Sequence, residues 1–121
     1  MIFVAGSRKF FKEIGIFVSL CEKNGIETKT AGKLLNKTDT LENQKAALLK
    51  AFKIIDKSDL VYVFAKNGYI GKTVAMEIAY AFATNKKIVS SEPIEELSAR
   101  ALITEVVSPG TLISVIRGKS I

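Results

Sequence analysis

Between Thr73 and Asn85 a single charged side chain, Glu77, stands among small and apolar residues. A carboxylate is costly to bury and ordinarily lies on the wet side of a helix. Helical spacing puts Glu77 on one side with Thr73, Tyr80 and Thr84, and puts Val74, Ala75, Ile78 and Phe82 on the apolar side. Two readings stay open at this level. Glu77 is either an acid near a helix amino terminus, favoured there by the helix dipole, or a carboxylate facing a cleft. In the second case it can accept a sugar hydroxyl or attack an electrophilic carbon.

Two short loops accompany it. Gly6-Ser7-Arg8 follows the apolar run Ile2 to Ala5. Gly6 permits a tight turn, Ser7 supplies a hydroxyl, and Arg8 at a helix start can grip an anion beside free backbone N–H groups. The second loop, Asn67 to Lys72, leads into the helix of Glu77; Gly68 and Gly71 permit close backbone approach there. Gly71-Lys72-Thr73 matches the tail of a phosphate-binding P-loop, but the first glycine of that motif would fall at position 66, which is Lys66. Nucleoside triphosphate hydrolysis is rejected on that ground.

The elements that must position these residues alternate in period. Ile2 to Ala5 is a short buried strand, and Lys9 to Asn24 is a helix closed by Asn24-Gly25. A more polar strand follows at Ile26 to Thr30, then a loop from Ala31 to Asp39 and a helix from Thr40 to about Lys57. Leu60 to Ala65 is the strongest strand, apolar almost throughout as an interior parallel strand should be. Lys87 to Ser90 is a fourth strand, Glu92-Pro93 opens a helix to about Ala101, Thr104 to Val107 is a fifth strand, and Pro109 to Arg117 a last helix. Strands separated by helices predict one α/β domain over residues 1–121, flavodoxin-like or Rossmann-like, with a mainly parallel five-stranded sheet and helices on both faces. Both loops then fall on the edge where such folds bind ligands, with Leu60 to Ala65 interior and Ile2 to Ala5 beside it or one strand away.

Composition narrows the chemistry. The chain has 121 residues, 48% hydrophobic and 25% charged, enough for one core. It has no histidine and one cysteine, which argues against a zinc or other N/S metal site and leaves proton chemistry to carboxylates, lysines or tyrosines. No metal and no cofactor are expected. Neither a membrane span nor a signal peptide is visible, and the lone Cys21 suits a reducing compartment, so a cytoplasmic protein is expected. The net charge of +6 is spread over scattered lysines without interleaved aromatics. That pattern makes nucleic acid an unlikely partner, while a basic field suits an anionic small molecule.

Taken together, "VAGSRKF", "DLVYVF", "GYIGKTVAMEIAYAFATNKKIV" and "SEPIEEL" resemble the nucleoside 2-deoxyribosyltransferase-like superfamily. The resemblance runs through most of the chain in order and is strongest from Asp59 to Ser91. It implies a flavodoxin-like fold, usually oligomeric, acting on N-glycosidic bonds of nucleosides or nucleotides. It also implies that Glu77 is the nucleophile that attacks the anomeric carbon of the deoxyribose and expels the base, after which the glycosyl group passes to another base or to water. By the same resemblance Gly6, Ser7 and Arg8 hold the sugar or a 5′-phosphate, and Asp59 matches the Asp that starts the central strand. Two positions depart from the pattern: Gly71 stands where active members commonly carry an Asp or Ser, and Ala51 where the hydrolases carry an Asp. Tyr69, Lys72 or Thr73 are the residues placed to stand in.

A competing class is also represented, because "VAGSRKF" resembles the first loop of Rossmann-like sensor domains that bind nucleotide derivatives without turning them over. The partners expected are therefore a small-molecule nucleoside or nucleotide and further copies of the chain. A homodimer or larger is expected, with the alanine-bearing helix faces of Ala46, Ala47, Ala51 and of Ala75, Ala79, Ala83 suited to close packing.

Overall fold

The computed structural model describes residues 1–31 and 40–118, and the expected loop from Ala31 to Asp39 lies almost wholly outside that range. β1 (Ile2–Gly6) runs through a single 3-10 turn at Arg8–Phe10 into α1 (Phe11–Lys23). β2 (Thr28–Lys29), α2 (Leu41–Asp56), β3 (Leu60–Phe64), α3 (Lys72–Ala83) and β4 (Lys87–Ser90) follow. The chain ends in α4 (Leu97–Arg100), β5 (Glu105–Val106) and α5 (Pro109–Gly118). The strands form one sheet in the order β2-β1-β3-β4-β5, and the neighbouring strands pair in parallel. This is the flavodoxin-like doubly wound order, with its switch between β1 and β3.

Alternation along the strands divides the core in two. Phe3, Ala5, Val61, Val63 and Ile88 point to the face covered by α2, α3 and α4, where Ala51, Ile55, Val74, Ile78 and Ala99 meet them. Ile2, Val4, Tyr62 and Val89 point to the other face, against Phe17 and Cys21 of α1 and Leu112 and Ile113 of α5. Burial pushes the Cys21 thiol up to about 11, so it sits there as a small inert hydrophobe. β3 is interior and β1 is its direct neighbour, paired from Ile2–Leu60 through Gly6–Phe64.

Three expectations change. The edge strands are shorter than the sequence predicts. Gly25 adopts φ +73 and the Ile26 amide bonds the Cys21 carbonyl, so Ile26 is spent on closing α1 before β2 begins. The helix expected from Glu92-Pro93 is confined to the single turn of α4. The segment before it is held against the β3–α3 loop instead: the Asn67 amide donates to Glu92, and the Glu95 amide to the Gly68 carbonyl. Glu96, rather than Pro93, starts the helix by accepting from the Ala99 amide at 2.7 Å. The third change concerns α3 and bears on the site.

Candidate active site

Two loops meet at the carboxyl end of the sheet, across the switch point. In the first, Ser7 caps the 3-10 turn by accepting from the Lys9 amide at 3.2 Å. Gly6 is required there: a Cβ at that position would stand 2.6 Å from Ile14 Cδ1 and 3.2 Å from the Phe64 carbonyl. Arg8 is exposed at the rim.

The second loop is a built turn. Asn67 and Gly68 have φ of +57° and +80°, and the Tyr69 amide bonds back to the Lys66 carbonyl, the signature of a type I′ Asn-Gly turn. A Cβ on Gly68 would lie 3.0 Å from the Pro93 carbonyl and 3.1 Å from the Glu95 amide, so only glycine satisfies both conformation and space. Ser91 pins the base of this loop, donating to the Ala65 carbonyl and accepting from the Ala65 amide, both at 2.8 Å. Tyr69 is thereby projected toward the first loop. Its ring meets Phe10 edge-on at 6.1 Å, and Lys9 Nζ lies 4.4 Å above it. Lys66 reaches Glu13 at 3.4 Å. The loops also approach directly, since a Cβ on Gly71 would lie 4.0 Å from Ser7 Oγ.

Gly71 is the N-cap of α3 and offers no capping side chain, while Lys72 and Thr73 are exposed in the first turn. Glu77 is one turn further on and only 4% exposed. This corrects the expected helix faces. The buried stripe is Val74, Glu77, Ile78 and Ala81, whereas Phe82 is exposed and Ala75 only half-buried. The cause is tertiary. Tyr80 stacks on Phe52 of α2 with ring centroids 4.0 Å apart, and its O–H donates to Asp56 at 2.6 Å. On the side of α3 read as wet, Tyr80 therefore lies against α2 and Glu77 is buried, and only Thr73 at its start stays exposed.

No hydrogen bond or ion pair reaches Glu77 from the described residues. Burial pushes its carboxyl up to about 7, because the anion loses water and gains no donor or cation among the described residues. An acid in that position is poised to change protonation at neutral pH, and perturbed groups of this kind concentrate at functional sites.

The structure thus brings together Gly6, Ser7, Arg8, Tyr69, Gly71, Lys72 and Thr73 on two adjoining loops, with Glu77 on the helix that the second loop opens. It does not bring Asp59 to them. Asp59 starts β3 at the opposite edge of the sheet, where the Met1 amino group donates to it at 2.7 Å and holds its carboxyl below the ordinary range. A strand five residues long separates the two edges, about 17 Å in all. Ala51, the second departure, is fully buried in the α2–sheet core and carries no polar group into the site. Lys9, Phe10 and Ser91 are site residues that sequence reasoning missed. Lys9 and Phe10 read as the start of an amphipathic helix, and only the position of Ser91 at the end of a parallel strand hinted at its place.

Among the described residues, no group of three or more metal-ligating side chains converges, and no helix is long and apolar enough to cross a membrane. No protein-family model matches the chain, and no curated protein sequence does. Solved structures do. A conserved protein from Enterococcus faecalis V583 superposes with a TM-score of 0.71 at 17% identity, covering 98% of this chain and 97% of that one. The CMP N-glycosidase BcmB of Clostridium botulinum superposes with a TM-score of 0.60 at 18% identity, covering 98% of each chain. Both share the fold along essentially their whole length.

Proposed function

We propose that this protein cleaves the N-glycosidic bond of a nucleoside or nucleotide, with Glu77 as the attacking carboxylate. The observation that carries the proposal is Glu77 itself: a buried acid, without a partner among the described residues, on the helix that opens at the binding edge of the fold. A structural acid in a core would be paired or replaced by an apolar residue, since burying it alone destabilises the chain. The name of BcmB, a CMP N-glycosidase on the same fold, supports the reaction class.

In the reaction one Glu77 oxygen bonds to the anomeric carbon as the bond from that carbon to the base nitrogen breaks. The base leaves with the bonding electrons and takes up a proton. Water, or a second base, then displaces Glu77 from the glycosyl ester through a second oxocarbenium-like transition state. In this reading Ser7 holds the sugar, and Arg8, with Lys9 and Lys72 at the same rim, suits a 5′-phosphate. Incubation with nucleosides, deoxynucleosides and their 5′-monophosphates, CMP included, tests the reading by release of free base. Inclusion of a second base separates transfer from hydrolysis.

A second reading is binding without turnover, and Gly71 favours it. Gly71 puts no polar group beside Ser7, and Glu77 has no partner among the described residues to aim it. Loss of positioning lowers rate far more than affinity. Tight binding of a nucleotide with no base released supports this reading over the first.

A further inference from the structure

We propose that Lys9 is a phosphate-operated cover on Tyr69. It lies over the ring in the free chain and swings to a 5′-phosphate, which bares that face for the base. The proposal rests on the nucleotide reading above and adds to it how a nucleotide is told from a nucleoside. Lys9 Nζ stands 4.4 Å from the centroid of the Tyr69 ring. No carboxylate pairs with it among the described residues, so the ring is what holds it there. Tyr69 is 40% exposed on the loop that faces the first one, and an open aromatic face is a natural platform for a nucleobase. In the free chain that platform carries a cation instead.

The surroundings leave only the Lys9 side chain to move. Its backbone amide is tied to Ser7 Oγ at 3.2 Å. The Phe10 ring lies 6.1 Å from both Phe64 and Tyr69, and Lys66 joins the second loop to Glu13 of α1 at 3.4 Å. Those contacts hold loop to loop whether or not Lys9 is in place. Arg8 is the adjacent residue and is exposed, so a phosphate it grips sits beside the root of the Lys9 stem, whose four carbons leave it free to turn. An exposed cation–π contact biases an equilibrium by only about twofold to fivefold. A lysine–phosphate pair is charge-assisted and stronger, so the phosphate wins. A nucleoside brings no phosphate and has to displace Lys9 unaided, which lowers its apparent affinity by about threefold to sixfold.

Proton NMR of the whole chain, with calorimetric titration of matched pairs (cytidine with CMP, adenosine with AMP), tests the proposal. In the free wild type the Lys9 ε-methylene protons should be shifted upfield by the Tyr69 ring, and Tyr69→Leu should abolish that shift. A 5′-monophosphate should release it, and the matching nucleoside at equal concentration should release it less. Lys9→Ala should tighten the nucleoside by about threefold to sixfold while weakening the 5′-monophosphate, so that preference for the phosphate falls by about tenfold. In a Tyr69→Leu background Lys9→Ala should no longer tighten the nucleoside. An unshifted Lys9 in the free chain would overturn the proposal, as would a shift that no 5′-monophosphate releases. A nucleoside bound equally well or more weakly by Lys9→Ala would also overturn it, since a lysine that only meets the phosphate or only supports the loop gives that result. None of these readouts needs turnover, so a chain that releases no base would sink the reaction and leave the cover standing.

Discussion

A side chain grown on Gly71 would come within 4.0 Å of the Ser7 hydroxyl and meet no other group at that range. Gly71 has a φ of −81°, which any residue adopts, so neither strain nor crowding requires glycine there. The position is an unoccupied place beside the site.

Gly71→Ser should therefore be tolerated. A serine at this N-cap can accept from the free amides of the first turn of α3 and raise stability by a few tenths of a kcal/mol, about one degree or two in Tm. If a polar group there aims Glu77 or the sugar, base release should rise by about tenfold with KM nearly unchanged. Thermal melts and steady-state rates on the same preparation check both outcomes. A stabilised variant with unchanged kcat would remove Gly71 from the account of the site.

Burial of Glu77 makes stability depend on pH, and the sign follows from its raised value. Between its ordinary 4.5 and about 7 the folded chain holds a proton that the unfolded chain releases. Stability contributed by that proton is complete below the lower value and is lost as pH rises through the upper one. The full shift corresponds to about 3 kcal/mol. Glu77→Gln removes the ionisation, so the variant should match the wild type near pH 4.5 and exceed it by up to that amount at pH 8. Denaturant unfolding at the two pH values is the check. Equal loss of stability at both would mean that a partner outside the described residues holds the carboxylate.

Arg8 separates phosphate from sugar recognition. Arg8→Ala should weaken a 5′-monophosphate by about tenfold, roughly 1.4 kcal/mol, and leave the matching nucleoside within about twofold. Calorimetric titration of the pair decides it. Equal weakening of both would place Arg8 in the framework of the loop rather than on the phosphate.

Gly68 and Asn67 share a turn but not a tolerance. Gly68→Ala puts a methyl against Pro93 and Glu95 at a φ of +80° and should cost more than 1 kcal/mol, about 1–3. Asn67→Gly, at φ +57°, should be close to neutral. If the turn fixes Tyr69, the alanine variant should also raise KM, whereas the glycine variant should not.

Much of the fold was legible because local pattern and topology agreed. The continuous apolar run at β3, the loops after β1 and β3, and the alternation of periods lead to a doubly wound sheet, and the switch point then places Gly6 and Gly71 on one edge. Glu77 was legible as unusual but not as buried. Its surroundings depend on Tyr80 meeting Phe52 on α2, a contact that no helical wheel drawn on α3 alone contains. Asp59 looked attached to the site through its place in a motif, yet the start and end of a strand lie on opposite edges. The helix expected at Glu92-Pro93 failed for a similar reason: its backbone is engaged by the neighbouring loop.

The central claim is that an ionised Glu77 attacks the sugar. Its most direct test is base release measured from pH 5 to pH 9, wild type beside Glu77→Gln, on whichever nucleoside or nucleotide the wild type turns over. For the wild type, kcat/KM should rise about tenfold per pH unit at the acid end and level off above about 7, where Glu77 becomes ionised. The variant should lose about three orders of magnitude or more at the plateau, with substrate affinity changed by about tenfold at most. A Glu77→Gln variant that releases base at a wild-type rate, or a wild-type profile flat across that range, would contradict it.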